Sequence, residues 1–349
     1  MSDDPVALLR DQLALLPRFT LVSGKTPFQE LTVLSDRLQR RILVKRDDLT
    51  GLALGGNKVR QAEFFIGAAR ARGADCLLAG GSYPHSNHAR VLAAAARVAG
   101  LEPVILFRPD GGAPRDDARG NALLTRLLAS EVRFVDALRD APDSDRRAEV
   151  EFRRQIFETE ADRLREAGRT PYVVLGSSMA LGVMGYVAAA IELHEQLRSL
   201  DISPTKVFVT SLGATHAGLE LGARLLGEQY EVVGIAYQPT ERAHAEATIE
   251  ALVAEGARLL ELEVPTATRI RTDVHEAGDG YAMPTVRSRN ALRVAAASDA
   301  LVLDPTYTAK GFAGLLRWVE EERVADGETV VFLHTGGIPE LLAQSSKEL

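Results

Sequence analysis

Residues Lys206–Gly218 read KVFVTSLGATHAG, a short apolar run followed by a turn of small residues and the start of a helical pattern. The run Lys206–Thr210 predicts a strand that is buried on both faces, and Ala214–Leu226 has the period of a helix. Strands that are apolar throughout and alternate with helices are typical of a parallel sheet covered on both faces. This stretch therefore predicts an α/β fold.

The same alternation recurs along most of the chain. Further buried strands are predicted at Ile42–Lys45, Asp75–Ala79, Pro103–Phe107, Val132–Val135, Pro171–Leu175, Glu231–Ala236 and Thr329–Leu333. Helical periods are also found at Ser86–Ala99, Ala180–Arg198 and Lys310–Glu322. In such sheets, ligands bind in the turns that lead from strands into helices. Four turns of this kind are rich in glycine, serine or asparagine: Gly51–Lys58, Gly80–His88, Ser211–Gly218 and His334–Pro339.

The composition excludes several classes of protein. The chain has 349 residues, of which 46% are hydrophobic and 26% charged, and a formal charge of -7. These values are typical of a globular protein with room for two domains, or for one domain with an insertion, and they argue against a nucleic-acid-binding surface. No segment has the roughly 20 apolar residues that a membrane helix needs. Because Cys76 is the single cysteine and the first residues are acidic, we expect a cytoplasmic protein without disulfides or a signal peptide.

The turn Ser211–Gly218 is a candidate anion site. Its small residues would let backbone N–H groups approach a phosphate, and the helix that follows would add the positive end of its dipole. The alternative is a tight turn with an ordinary serine or threonine cap. The spacing is not the G-x-G-x-x-G of a dinucleotide site, which argues against a nicotinamide oxidoreductase.

Lys58 ends the glycine-rich turn Gly51–Lys58. The turn is not a phosphate-binding P-loop, because it has one residue too many and Val59 stands where Ser or Thr would bind magnesium. A lysine at a helix start has a lowered pKa, as has a buried one, and Schiff-base chemistry needs a neutral amine. A lysine on the surface of a helix is the alternative.

The turn Gly80–His88 brings Ser86 and Asn87 to the start of a helix. Both side chains carry hydrogen-bond donors for a carboxylate or a phenolate oxygen, although Ser86 could be only a helix cap. His85 and His88 have the spacing of two metal ligands, but no third ligand has a suggestive position, so we expect no metal site.

Three further residues in turns carry hydroxyl groups. Thr335 precedes Gly336-Gly337 at the start of the last predicted helix, and it could be a cap or a hydroxyl presented to a ligand nitrogen. Tyr281 and Tyr307 lie in turn-like stretches, where tyrosines more often pack than bind. No Gly-x-Ser-x-Gly motif is present, so the chain lacks the nucleophile of an α/β-hydrolase.

Taken together and in this order, these turns resemble one family of pyridoxal-phosphate enzymes, which groups 1-aminocyclopropane-1-carboxylate deaminase with D-cysteine desulfhydrase. The resemblance runs from about Arg18 to Leu342, nearly the whole chain. The motifs that carry it are Gly55–Arg60 (GGNKVR), Ser86–His88 (SNH), Gly213–Leu219 (GATHAGL), Gly280-Tyr281 with Pro284, Asp304–Lys310 (DPTYTAK) and His334–Gly337 (HTGG).

The resemblance implies the tryptophan-synthase-β type of fold, with two open, twisted α/β domains and the cofactor in the cleft between them. Residues 1–60 and 171–349 would form the larger, cofactor-binding domain, and residues 61–170 a smaller inserted one. Family members form homodimers, so a homodimer is implied as well.

The resemblance also implies how pyridoxal 5'-phosphate is held. Lys58 would bind it through a Schiff base and later move the α-proton of the substrate, and Asn87 would hydrogen-bond its phenolic oxygen. Thr335 would meet the pyridine nitrogen with a hydroxyl. The phosphate would lie on the turn formed by Ser211, Leu212, Gly213, Ala214 and Thr215.

The remaining implied roles concern a small amino-acid substrate. Ser86 and His88 would face its carboxylate, Tyr281 would approach it, and Tyr307 would stack on or near the cofactor ring. Ring-opening deaminases resemble a pattern with Glu after this tyrosine and Leu before Gly-Gly, whereas this chain has Thr308 and Thr335. The resemblance therefore favours a desulfhydrase, which removes the α-proton and a β-substituent and yields pyruvate and ammonia.

Several positions depart from the family pattern where the substrate should lie. His85 replaces a usual Gln in a turn one residue longer, Met179 replaces Asn, Ala282-Met283 replaces Gly-Ile or Gly-Val, and Ala309 replaces Gly. His85 could assist an anionic leaving group, and Thr308 lies beside the expected substrate. An L-cysteate sulfo-lyase is therefore the first alternative, followed by the cyclopropane deaminase and by a catalytically silent relative that only binds the cofactor.

Overall fold

A computed structural model of the chain describes residues 4–109, 114–116, 118–140, 146–175, 179–265 and 270–345. In these residues the strands form two sheets. The larger sheet contains β1 (Phe28–Glu30), β2 (Arg41–Lys45), β7 (Lys206–Thr210), β8 (Glu231–Ile235), β9 (Arg271–Asp273) and β10 (Thr329–Leu333). The smaller sheet contains β3 (Cys76–Tyr83), β4 (Glu102–Pro109), β5 (Glu131–Phe134) and β6 (Pro171–Val173).

The larger sheet has the order β1-β2-β10-β7-β8-β9, and the smaller has the order β5-β4-β3-β6. All pairs are parallel except β1 with β2, which is antiparallel. The central strands are buried and apolar because helices cover both faces of each sheet. The predicted α/β class is therefore what the structure shows, with one antiparallel edge strand that the apolar runs did not predict.

The helices that surround the sheets include long ones that begin directly after strands. They are α1 (Pro5–Ala14), α2 (Thr32–Leu38), α3 (Lys58–Ala71), α4 (Asn87–Val98), α5 (Gly120–Leu128), α6 (Arg146–Glu166), α7 (Met179–Ser199), α8 (Ala214–Leu226), α9 (Arg242–Leu259), α10 (Val286–Asp299), α11 (Thr308–Glu320) and α12 (Ile338–Leu342). None of the described helices is long and apolar enough to cross a membrane.

One predicted turn begins later than expected. Gly80 and Gly81 were expected in a turn, but strand β3 continues to Tyr83 because each of its residues pairs with β4 as far as Pro109. The turn into α4 is therefore short, and a cis peptide bond joins Tyr83 to Pro84 in it.

The domain division at residues 60 and 170 stays a prediction. The limit at residue 60 falls inside α3, which runs from Lys58 to Ala71, and the limit at residue 170 separates β6 from the smaller sheet, in which β6 pairs with β3. A boundary that respects these elements would place Pro171–Val173 with the smaller sheet.

A buried ionic network lies beneath the start of α3. The guanidinium of Arg60 donates to both carboxylate oxygens of Asp47 at 2.8 Å and to Glu192 Oε2 at 3.0 Å. Tyr186 donates its hydroxyl proton to Asp47 at 2.7 Å, and Lys45 pairs with Glu192. Because all of these groups have partners, the network ties β2, α3 and α7 together two residues from Lys58.

Candidate active site

A cavity of about 1620 Å³ opens where the carboxyl ends of strands from both sheets meet. Most of the residues predicted for the site lie in its wall. They are Lys58, Ser86, Asn87, His88, Ser211, Leu212, Gly213, Ala214, Tyr281, Tyr307 and Thr335. Three predicted residues, Thr215, His85 and Thr308, are not in this wall.

Lys58 is the first residue of α3 and lies in the cavity wall. Its amine makes no hydrogen bond or ion pair with any described residue. Burial lowers the pKa of this amine to about 8. A sizeable fraction of Lys58 is therefore neutral near physiological pH, as a nucleophilic or basic amine must be.

The turn before Lys58 requires glycine at two positions. Gly55 has a φ of 66°, and a Cβ there would lie 2.1 Å from the Asp48 carbonyl oxygen. Gly56 has a φ of 112°, and a Cβ there would lie 3.0 Å from the Thr335 carbonyl oxygen. The two glycines thus let the chain pass close to the turn after β10, where the Asn57 N–H donates to the Thr335 carbonyl at 3.0 Å.

Arg90 joins this turn to helix α4 and is fully buried. Its guanidinium donates to the carbonyl oxygens of Ala53 and Gly55, and to the side-chain oxygen of Asn87 at 3.1 Å. Sequence reasoning missed this residue. The arginine holds the Lys58 turn and the Asn87 side chain in a fixed relation, because its planar group donates to both at once.

The start of α4 presents polar groups to the cavity. Ser86 caps the helix, since its hydroxyl oxygen accepts from the Ala89 N–H at 3.1 Å. Burial, together with the nearby Lys58, lowers the pKa of His88 to about 3. His88 is therefore neutral at physiological pH and offers a hydrogen bond rather than a positive charge.

The turn between β7 and α8 has room for an anion. The Ser211 hydroxyl oxygen accepts from the N–H groups of Gly213 and His216 at 3.2 and 3.4 Å, which folds the turn around it. A Cβ at Gly213 would come within 4 Å of Met179 only, at 3.9 Å, so the space above the turn is open. Thr215 faces away from this space, because its hydroxyl accepts from Asn57 at 2.8 Å and from Gln61.

Three tyrosines form one side of the cavity: Tyr237, Tyr281 and Tyr307. The hydroxyl groups of Tyr281 and Tyr307 are hydrogen-bonded to each other, and the ring centroids of the three lie 5.1 to 6.0 Å apart. Burial raises the pKa of Tyr307 well above its usual value and raises that of Tyr237 too. Sequence reasoning missed Tyr237, although it follows the buried strand β8 at the edge of the sheet where ligands bind.

His85 and Thr308 each direct a polar atom to a buried carboxylate, and the His85 ring packs edge-on against the ring of Tyr281 at 6.0 Å between centroids. His85 Nδ1 lies 2.6 Å from the buried carboxylate of Glu340. The Thr308 hydroxyl donates to Asp304 at 2.7 Å and is completely buried. Thr335 differs from both, because its side chain is in the cavity wall and its hydroxyl makes no hydrogen bond with a described residue.

The polar groups in the cavity wall suit a phosphorylated aromatic aldehyde better than a metal ion. In the part of the chain that the structure describes, no group of three or more His, Cys, Asp or Glu residues could hold a metal. The cavity instead offers a lysine of lowered pKa, an open turn of N–H groups and an uncharged hydroxyl at Thr335. These groups fit an aldehyde, a phosphate and a ring nitrogen respectively.

Known proteins that are similar to this chain use a cofactor that these groups would fit. Residues 19–336 match the family described as pyridoxal-phosphate dependent enzyme. The D-cysteine desulfhydrase of Salmonella schwarzengrund (strain CVM19633) is 36% identical over 338 residues, which are 95% of this chain and 97% of that protein. The D-cysteine desulfhydrase of Salmonella newport (strain SL254) is 35% identical over the same shares.

Solved structures give the same picture. The crystal structure of an ACC deaminase homologue superimposes with a TM-score of 0.84 and 32% identity, over 100% of this chain and 99% of that one. The processed form of threonine deaminase isoform 2 from Solanum lycopersicum matches with a TM-score of 0.62 and 15% identity, over 97% of this chain and 85% of the other. At that identity the second likeness concerns the fold alone.

Proposed function

This chain belongs to the pyridoxal-phosphate-dependent enzymes, and on that premise we propose that it cleaves the carbon–sulfur bond of D-cysteine. The overall reaction converts D-cysteine and water to pyruvate, ammonia and hydrogen sulfide. The observation that carries the proposal is Lys58, a buried amine without a partner among the described residues, in one cavity with the hydroxyl pair of Tyr281 and Tyr307.

The comparisons confirm several predictions from the sequence. These are the family, its α/β fold, the cofactor pyridoxal 5'-phosphate and the enzyme class, a lyase that depends on this cofactor. The choice of D-cysteine rests on the names of the similar proteins and on the cavity, and it is part of the proposal.

We assign the groups that hold the cofactor as follows. Lys58 would hold the aldehyde group through its amine, and the N–H groups of Ser211–Thr215 at the start of α8 would hold the phosphate. Asn87, whose side-chain oxygen accepts from Arg90, would offer its amide N–H to the phenolic oxygen. Thr335 would offer a hydroxyl to the ring nitrogen, which does not favour a protonated ring.

When bound, pyridoxal phosphate supplies the electron sink for the negative charge that forms at the α-carbon of an amino acid. Lys58 would be the base for the α-proton, because its lowered pKa leaves part of the amine neutral near physiological pH. Ser86 and the neutral His88 orient the substrate carboxylate by hydrogen bonds at the start of α4.

The tyrosine pair serves the leaving group. Hydrosulfide leaves with the electron pair of the carbon–sulfur bond and needs one proton to become hydrogen sulfide. The hydroxyl groups of Tyr307 and Tyr281 share a hydrogen bond in the cavity wall, and this pair would pass a proton to the sulfur. The released aminoacrylate takes up water and gives pyruvate and ammonia.

Two side chains argue against the alternatives. Ring opening of a cyclopropane substrate lacks the carboxylate expected after Tyr307, where Thr308 stands with its hydroxyl on Asp304. A sulfonate leaving group would have little stabilisation from His85, because His85 is not in the cavity wall and its Nδ1 pairs with the carboxylate of Glu340 behind Tyr281.

The proposal includes a cytoplasmic homodimer. The resemblance to the family supports the dimer, and a single cysteine, which is buried, suits a reducing compartment. Light scattering on the purified holoenzyme tests the dimer, and a monomeric mass would contradict it.

The substrate is tested by turnover of a panel. D-cysteine, L-cysteine, L-cysteate and 1-aminocyclopropane-1-carboxylate are each incubated with the holoenzyme, and sulfide, sulfite, pyruvate and 2-oxobutanoate are measured. We expect the highest kcat/KM for D-cysteine, with equal amounts of sulfide and pyruvate. A higher kcat/KM for release of sulfite from L-cysteate would contradict the proposal and indicate a sulfo-lyase. The absence of any product would indicate a catalytically silent relative that only binds the cofactor.

A further inference from the structure

Lys310 is a completely buried lysine outside the cavity wall, and it is the third residue of α11. Its ammonium group donates to three backbone carbonyl oxygens, those of Ala277 at 2.6 Å, Tyr237 at 2.9 Å and Gly280 at 3.2 Å. An ammonium group has three N–H donors, so every donor has one acceptor.

The three carbonyl groups belong to the segments that carry the tyrosines. Tyr237 follows β8, Ala277 ends a short helical turn, and Gly280 directly precedes Tyr281. Lys310 itself lies three residues after Tyr307 in the same chain segment. The ammonium group therefore binds the backbone of the segments that carry Tyr237 and Tyr281, and it lies on the segment of Tyr307. The rings of these three tyrosines contact one another in the cavity wall.

We propose that Lys310 is a positioning residue, whose ammonium group acts as a built-in cation that holds Tyr237, Tyr281 and Tyr307 in their catalytic arrangement. The inference rests on the proposed function, because it assigns to Lys310 the geometry of the hydroxyl pair that serves the leaving group. It adds a residue that touches neither cofactor nor substrate.

The surroundings of Lys310 favour this role over simple packing. No described carboxylate forms an ion pair with its amine, so the carbonyl oxygens are its direct partners. Burial lowers the pKa of Lys310 to about 8, while the negative charges of Asp304, Asp279 and Glu276 act in the opposite direction. A packing role would be filled by an apolar side chain without the cost of burying a charge.

Loss of the cation should release the tyrosine segments. Three carbonyl oxygens without a donor repel one another, and the loop from Ala277 to Tyr281 would move away from α11. A displacement of about 1 Å at a catalytic group can reduce the rate about 100-fold. We expect a loss of this size in kcat for Lys310→Met and for Lys310→Ala, with a smaller change in KM.

The two variants differ in whether a small cation can return. Alanine leaves space beside the three carbonyl oxygens, whereas methionine fills it. Carbonyl oxygens are ligands for small cations. Ammonium or potassium chloride should therefore restore much of the lost kcat of Lys310→Ala but not that of Lys310→Met, and choline chloride, which is too large, should restore neither. Lys206→Met is the control, because Lys206 pairs with Glu328 at the start of β7, the end of that strand away from the cavity.

A second readout does not depend on turnover. The near-UV circular dichroism of the holoenzyme is measured near pH 7, where Lys310 is mostly protonated. The tyrosine signal should change in Lys310→Ala and Lys310→Met but not in Lys206→Met, and ammonium chloride should restore it in Lys310→Ala only. This spectrum is informative even if D-cysteine is not the substrate, so a failure of the proposed function can be told from a failure of this inference.

Unchanged kcat and an unchanged near-UV spectrum of the tyrosines in both Lys310 variants would overturn the inference. So would folded variants that lose activity but respond to no small cation. If neither variant folds in ordinary buffer, the same comparison is made on refolding yield: ammonium chloride should raise the yield of Lys310→Ala only, and an equal effect on both variants would contradict the proposal.

Discussion

Lys58 should make the binding of pyridoxal phosphate depend on pH in a defined direction. Burial lowers the pKa of its amine to about 8, so the protonated and unreactive form predominates below that pH. The rate at which the apo-protein takes up pyridoxal phosphate should rise about tenfold per pH unit below about 8, and level off above it. The rate is measured from the growth of the cofactor's visible absorbance.

Lys58→Ala shows whether the absorbance comes from cofactor bound at Lys58. This variant should develop no visible band of bound cofactor and should have no turnover. An uptake rate that still rises steeply above about pH 9 would mean that Lys58 keeps the pKa of an ordinary lysine.

The Tyr307 hydroxyl should determine how fast the sulfur leaves. Tyr307→Phe removes the hydrogen bond to Tyr281 and the proton available to sulfur. We expect kcat for D-cysteine to fall about 100-fold or more, as for the loss of an acid catalyst, with the cofactor spectrum preserved. The kcat for β-chloro-D-alanine should fall much less in Tyr307→Phe, because chloride leaves without needing a proton.

Tyr230→Phe is the matched control for Tyr307→Phe. The Tyr230 hydroxyl is buried, has no hydrogen-bond partner among the described residues and is not in the cavity wall. Its removal should leave kcat for both substrates unchanged. If Tyr307→Phe lowered kcat equally for D-cysteine and β-chloro-D-alanine, a role of Tyr307 in protonating the sulfur would be contradicted.

At the scale of elements, the packing of β3 against α4 positions Ser86, Asn87 and His88. A Cβ at Gly81 would lie 2.3 Å from the Ser86 hydroxyl oxygen and 3.0 Å from the Ala89 Cβ. Gly81→Ala should therefore displace the start of α4 and lower the free energy of unfolding by about 1–3 kcal/mol, as overpacking does. Denaturant unfolding of the holoenzyme measures the loss, together with KM for D-cysteine, which should rise.

Gly24→Ala is the control for this substitution, because a Cβ there meets nothing within 4 Å. Its stability should stay close to that of the wild type. Equal stabilities of Gly81→Ala and Gly24→Ala would show that β3 and α4 tolerate a side chain between them.

The elements also show where sequence patterns stop being informative. Lys206–Thr210 and Thr329–Leu333 have the bounds that were predicted, because both are central strands and apolar throughout. Phe28–Glu30 and Arg271–Asp273 were missed, since each has three residues and lies at an edge of the sheet. Gly80–Tyr83 has turn-like composition, and only pairing with β4 makes it a strand.

The buried ionic network around Arg60 connects β2, α3 and α7, which are distant from one another in the chain. Arg60→Met would leave the buried carboxylates of Asp47 and Glu192 without their main partner. Breaking a buried pair in this way costs about 3–5 kcal/mol, so we expect a large loss in the free energy of unfolding. Arg10→Met removes the exposed pair with Glu195 and should cost less than about 1 kcal/mol.

Denaturant unfolding of both variants makes this comparison. A loss for Arg60→Met as small as that for Arg10→Met would mean that the buried network does not hold the large sheet and α7 together.

The candidate site could be predicted in part because its chemistry lies in local motifs. The turns of Lys58, Ser86 and Ser211 are recognisable by small residues after strands, and they line the cavity. The roles of Arg90 and Lys310 could not be found in this way, because they arise from contacts between segments far apart in the chain. Tyr237 did carry a signal, since it follows the buried strand β8 at the edge where ligands bind. Thr308 adjoins Tyr307 in sequence, but the helix start turns its hydroxyl to Asp304.

Above all, we propose that Lys58 and pyridoxal phosphate together break the carbon–sulfur bond of D-cysteine. The most direct measurement is the visible spectrum of the purified protein during addition of D-cysteine, with sulfide and pyruvate assayed in the same sample. We predict an absorbance band of the bound cofactor that shifts with D-cysteine, and equal amounts of the two products from the wild type but none from Lys58→Ala. A band that does not respond to D-cysteine, or full turnover by Lys58→Ala, would contradict the account.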